Sequence, residues 1–130
     1  MPGRALIDSS FFIDRLRAGL DPLKELAVFS DDWELLTCGV VRVEVMRGLK
    51  HKTAYQRMAD FMGCMWDVPT RSTVWERATK LAWQMDREGQ PMQVTDLLIA
   101  TCALEAEADV LTFDSDFARV PGLRAIRSLG

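Results

Sequence analysis

The chain predicts an α/β fold, with a mostly parallel sheet flanked by helices. Short apolar runs of strand length alternate with longer segments of helical spacing, the pattern that builds a parallel sheet through helical crossovers. At 130 residues and 48% hydrophobic, the chain has enough apolar material for one compact domain spanning residues 1–130. No Ser/Gly-rich linker, low-complexity tract or repeat divides it.

Residues 4–7 read as a short buried strand. Asp8-Ser9-Ser10 then offers N-caps for a helix over 11–17, which Gly19 ends. Asp21-Pro22 opens a second helix to about residue 29, with proline in the first turn, where a missing N–H costs nothing. Residues 35–38 read as the second strand. The segment 39–49 stays open. Val41, Val43 and Val45 alternate with Arg42, Glu44 and Met46 at the period of a strand, while helical winding would group Glu44 with Val40, Val41, Arg47 and Gly48. Residues 52–64 have helical spacing, and 65–68 form a short strand closed by Pro69. A long helix runs over 70–88, with Ser72 or Thr73 as cap, Val74, Ala78, Leu81, Ala82 and Met85 along one side, and Gly89 as its stop. Thr95 caps a helix over 96–107 whose almost wholly apolar circumference predicts a central, buried position. Residues 109–113 form a strand, 114–120 a helical turn, Pro121-Gly122 a turn and 123–127 a closing strand.

Composition narrows the chemistry. No stretch reaches the roughly 18 apolar residues that span a bilayer, and Met1-Pro2-Gly3-Arg4 leads into a strand rather than a signal peptide, so the expectation is a cytoplasmic protein. Cys38, Cys64 and Cys102 form no CxxC pair and read as reduced, buried thiols. The one histidine, His51, lies in the polar run Lys50-His51-Lys52 and reads as a surface residue; with it go two-histidine ribonuclease and zinc hydrolase chemistries. Net charge is −3, against a general nucleic-acid coat but not against a nuclease whose bound ions reverse the local field.

Four acids stand in or directly beyond apolar sequence: Asp8 after Ala5-Leu6-Ile7, Glu44 among valines, Asp96 after Val94-Thr95, and Asp114 after Val110-Leu111-Thr112-Phe113. Buried carboxylates need a compensating partner. One shared hard cation, Mg2+ or Mn2+, would serve all four. In a parallel sheet the connecting loops gather at the carboxyl ends of the strands, which is where Asp8 and Asp114 fall. Each acid also has an ordinary use: Asp8, Asp96 and Asp114 suit helix N-termini without any metal.

The run Ala5-Leu6-Ile7-Asp8-Ser9-Ser10 resembles the first motif of PIN domains, a strand ending in Asp followed by small hydroxyl residues. Val43-Glu44-Val45-Met46-Arg47-Gly48 resembles their second, Thr95-Asp96-Leu97-Leu98-Ile99-Ala100 their third, and Thr112-Phe113-Asp114-Ser115-Asp116-Phe117 their fourth, in order along the whole chain. Among PIN domains the chain is most similar to VapC-type toxins of toxin–antitoxin pairs. The resemblance implies that 39–49 is helical, that Asp8, Glu44, Asp96 and Asp114 hold Mg2+ or Mn2+, and that Asp116 and Ser10 are accessory. It further implies a homodimer that hydrolyses RNA to 5′-phosphate and 3′-hydroxyl ends, and a cognate antitoxin whose arginine reaches the acids. Arg15, Arg47, Lys50 and Lys52 are candidate RNA contacts.

Other readings compete: a free-standing RNA-processing nuclease, or an inactive interaction module whose acids are only caps. A phosphoacceptor receiver domain would need a lysine beyond the last strand, and the last lysine is Lys80. Phe11, Phe12, Leu20 and Phe29 on the early helices are expected to exceed what one domain can bury, favouring the dimer. Trp75 and Trp83 are expected in the core or the dimer contact rather than under RNA bases.

Overall fold

Strand β1 (Gly3–Ile7) buries Ala5, Leu6 and Ile7 completely, as an uninterrupted apolar run does when helices cover both faces of a parallel sheet. It pairs with β2 (Trp33–Cys38) on one side and β4 (Asp109–Leu111) on the other, with β3 (Trp66–Val68) beyond β2 and β5 (Ala125–Ile126) beyond β4. Every pairing is parallel. The computed structural model describes residues 3–130, so the expectations for Met1 and Pro2 lie outside the described residues.

The order β3-β2-β1-β4-β5 has one consequence for function. The chain builds outward from β1 to β3, then crosses back to place β4 on the opposite side of β1. The loops leaving β1 and β4 therefore diverge and open a crevice beyond their carboxyl ends. Asp8 follows the last residue of β1, and Thr112, Phe113 and Asp114 follow the last residue of β4.

Among the described residues six helices connect the strands: α1 (Ser9–Arg17), α2 (Pro22–Ala27), α3 (Gly39–Met46), α4 (Lys52–Gly63), α5 (Ser72–Arg87) and α6 (Val94–Glu105), with a 3-10 turn at Ser115–Arg119. The segment left open by periodicity is helical in α3. Val41 and Val45, four residues apart, are buried, while Val43 is 64% exposed, so the alternation of valines does not mark a two-faced strand. Apolar α6 runs through the core, with every residue from Leu97 to Ala103 buried.

Several expectations are corrected. Neither Thr95 nor Ser72 or Thr73 caps a helix: α6 begins at Val94 after Gln93, and α5 begins at Ser72 after Arg71, in both cases without a side-chain cap bond. Asp21 does cap α2, accepting from the N–H groups of Leu23 and Lys24 with Pro22 at the first position. That helix ends at Ala27, and the closing strand shrinks to two residues. Gly19 and Gly89 take left-handed φ of 73° and 72° just past α1 and α5, the conformation that glycine adopts without a Cβ clash. Phe11 and Phe12 are buried within the chain, so they add nothing to a dimer surface; Leu20 remains exposed. Trp75 and Trp83 are exposed rather than core, and Cys64, unlike Cys38 and Cys102, is exposed. His51 lies on the surface as expected. Among the described residues no helix is long and apolar enough to cross a membrane.

Candidate active site

Asp8 occupies the N-cap position of α1, yet its side chain makes no cap bond. It is 2% exposed, and its Oδ2 accepts a 2.8 Å hydrogen bond from Thr112 Oγ1 on the segment leaving β4. A threonine hydroxyl has one proton, which is committed here to the carboxylate. The 3.1 Å contact between Ser10 Oγ and Thr112 Oγ1 must then run from Ser10 as donor. Ser10 Oγ accepts in turn from the N–H of Phe113, and Thr112 Oγ1 accepts from the N–H of Asp114. One chain of hydrogen bonds thus ties the loop after β1 to the loop after β4, and the accessory residue Ser10 acts on Asp8 through Thr112.

Asp114 begins the 3-10 turn, where its Oδ1 accepts from the N–H of Asp116 at 2.9 Å. Its ordinary capping use is therefore real and coexists with membership of the cluster. Asp96 lies in the first turn of α6. Asp96, Asp114 and Asp116 each offer a carboxylate oxygen within 4.8 Å of the others. Glu44, projecting from α3, is anchored by Ser9 Oγ, which donates to its Oε1 at 3.1 Å. Asp8, Asp96 and Asp114 line an open cleft of about 430 Å³ together with Ser10, Phe113 and Arg17.

The field of this cluster is visible in Asp96. Burial, followed by repulsion from Asp8, Asp114, Glu44 and Asp116, pushes its carboxyl from the usual range up to about 6. The four other sequence-predicted acids thus all raise Asp96, although Glu44, unlike Asp8 and Asp114, does not itself line the cleft.

The donor set suits a hard divalent cation. It is made wholly of carboxylate oxygens, and Asp8 Oδ1 is buried without a hydrogen-bond partner. A buried carboxylate oxygen left unpaired is costly; a cation beside it would supply the missing interaction. Such a constellation can neutralise charge on a phosphoryl group and polarise a water molecule.

The candidate RNA contacts are dispersed. Arg15 is held by Glu25 at 2.8 and 3.2 Å and lies 4.7 Å from the Phe113 ring centre. Arg47, Lys50 and Lys52 are exposed around the junction of α3 and α4 and do not line the acidic cleft. Sequence reasoning missed Ser9, Thr112 and Arg119. Arg119 pairs with Asp116 Oδ1 at 2.8 Å and donates to Gln90 Oε1, so it fastens the α5–α6 connection to the cluster. The signal for Thr112 was available: a hydroxyl inside an apolar strand run needs a buried partner.

Comparison with known proteins agrees with this fold. The PIN domain family model matches residues 5–123. No curated protein sequence matches the chain. Among solved structures, a chain of VapBC2 from Rickettsia felis, bound to a DNA fragment from its promoter, superposes with a TM-score of 0.79 at 19% identity, covering 95% of this chain and 97% of that one. A chain of DNA-bound VapBC from Salmonella typhimurium gives 0.76 at 17% identity, with coverage of 97% and 98%. VapC20 of Mycobacterium tuberculosis, described as a sarcin-ricin loop cleaving toxin, gives 0.65 at 16% identity, with coverage of 88% and 92%.

Proposed function

Because this chain belongs to the PIN domain family, we propose that it is a Mg2+- or Mn2+-dependent endoribonuclease, the VapC-type toxin of a toxin–antitoxin pair acting in the cytoplasm. The observation that carries the reading is the convergence of Asp8, Asp96, Asp114 and Asp116, from three separate segments, at one cleft that also contains a buried Asp8 oxygen with no partner. The likeness to chains of VapBC complexes supports the toxin assignment, and the likeness to VapC20 supports RNA as substrate.

Asp8, Asp96 and Asp114, with Glu44, would hold the cation, which supplies charge neutralisation at the phosphoryl oxygens and lowers the pKa of water. The chain's own residues do the rest. Thr112 and Ser10 fix the Asp8 carboxylate in one orientation. Ser9 holds one oxygen of Glu44, leaving the other directed to the chemistry. Glu44 or Asp116 takes the proton from the attacking water. Attack by water rather than by the ribose 2′-hydroxyl leaves a 5′-phosphate and a 3′-hydroxyl. The same acids form a receptor for a guanidinium, so the cognate antitoxin inhibits by placing an arginine against Glu44, Asp96 and Asp114.

Asp8→Asn, Asp96→Asn and Asp114→Asn nearly preserve shape while removing charge. Each is expected to reduce Mn2+-dependent RNA cleavage to background, with circular dichroism unchanged. Wild-type cleavage by any two of them would refute the site. Asp116→Asn is expected to be milder.

A further inference from the structure

The cleft that holds the acids repels a polyanion, and the chain as a whole is acidic, so any nucleic acid that settles there must be held by local cations. Most arginines are already committed. Arg4, Arg15, Arg42, Arg57, Arg77, Arg119 and Arg124 each pair with a carboxylate of this chain. Two near the cleft are not. Arg17, exposed at the end of α1, lines the cleft beside the acids and has no ion-pair partner among the described residues. Arg127, just past β5, is also exposed; it contacts only the Phe113 carbonyl, at 3.5 Å, and the Phe113 ring, at 5.1 Å from its centre. Phe113 itself lines the cleft.

Resting on the nuclease reading above, we propose that Arg17 and Arg127 form the substrate-gripping rim of the acidic cleft, binding RNA backbone phosphates next to the one that reacts. Phe113 is the seat of this rim. Phe11 and Arg15 pack against its ring at 5.6 and 4.7 Å, so with Arg127 also on it the ring supports guanidinium groups rather than stacking a base. Asp14, on the same rim, contacts Arg15 at 3.1 Å, a guanidinium it shares with Glu25. Guanidinium presents a planar fork of donors that fits phosphate oxygens, and neither free arginine has a competing carboxylate. The assignment moves the RNA contact from Arg15, Arg47, Lys50 and Lys52 to a different pair.

The test is fluorescence anisotropy with a fluorescein-labelled, mixed-sequence 12-nucleotide RNA, using the full chain carrying Asp96→Asn in Mg2+ to prevent cleavage. Adding Arg17→Ala and Arg127→Ala should weaken binding at least about ten-fold at low salt. It should also flatten the dependence of log K on log salt by about 1.4, since each lost phosphate contact on a single strand contributes about 0.7. Arg17→Lys with Arg127→Lys should keep the slope. Arg71→Ala with Lys80→Ala, on either side of the α5 residue Arg77, which pairs with Glu105 at the opposite end of α6 from Asp96, should change neither quantity. Calorimetric Mn2+ binding by Arg17→Ala/Arg127→Ala in a chain that keeps Asp96 should match wild type. RNA binding that is insensitive to Arg17 and Arg127, or lost instead on replacing Lys50 and Lys52, overturns the rim while leaving the nuclease reading intact. Cleavage surviving Asp96→Asn overturns the nuclease site, and absence of RNA binding by the parent overturns both.

Discussion

At Asp8 the fold buries a carboxylate and satisfies one of its two oxygens through Thr112, whose hydroxyl also serves the N–H of Asp114 and the hydroxyl of Ser10. Thr112→Val keeps the shape and removes all three bonds. Leaving buried polar groups unpaired costs about 1–3 kcal/mol, so urea unfolding should report a loss of that size, with cleavage reduced as Asp8 loses its fixed orientation. Asp96 gives a pH signature. Its carboxyl ionises at about 6 in the fold against about 3.9 in an unfolded chain, so the folded state binds this proton more tightly. The stability it contributes is fully present below the unfolded value and is lost as pH rises through the folded one. Asp96→Asn has no such dependence. Without divalent ion, the difference in melting temperature between variant and wild type should therefore grow in the variant's favour from pH 4 to pH 7. Adding Mn2+ at pH 7 should stabilise wild type more than the variant and narrow it. The acids were legible because a carboxylate beside valines and leucines has few ordinary explanations. Ser9 was not, because a serine at a helix start is unremarkable until its partner is known, whereas Thr112, a hydroxyl in an apolar run, did call for one.

Helix α6 carries Asp96 at its start and core residues along the rest of its length, so its placement fixes both packing and site. Ile99 is completely buried. Ile99→Ala should destabilise the fold by about 2–5 kcal/mol, as buried large-to-small changes do, measurable as a shift in denaturation midpoint at constant slope. Elements of this kind are the most readable from sequence, since a helix apolar on every side has nowhere to go but the core. Segment 39–49 was the least readable from its own pattern: three alternating valines satisfy the strand period, the family resemblance implied a helix, and burial of Val41 and Val45 with exposure of Val43 shows one over 39–46. Helix starts were misjudged for a related reason. Thr95, Ser72 and Thr73 suit N-caps by residue type, but the chain enters α5 and α6 one or more residues earlier, and tertiary packing decides where winding begins.

Across the whole molecule, exposed apolar side chains among the described residues include Leu16, Leu20, Val28, Val43, Tyr55, Trp66, Trp75, Trp83 and Val94. With Phe11 and Phe12 withdrawn into the core, these are the residues left to support the proposed homodimer. Sedimentation at micromolar concentration should give twice the monomer mass, and a clean monomer would refute the dimer. The sheet order carries a consequence in time as well as in space. Strand β1 leaves the ribosome first, but its β4 neighbour and the threonine that holds Asp8 follow 104 residues later. Until residues 109–114 emerge, β1 has one open edge and Asp8 has no hydroxyl to hold it. The acidic cleft therefore cannot assemble until β4 has been made, and a product truncated before residue 109 lacks Thr112, Asp114 and Asp116 of that cleft.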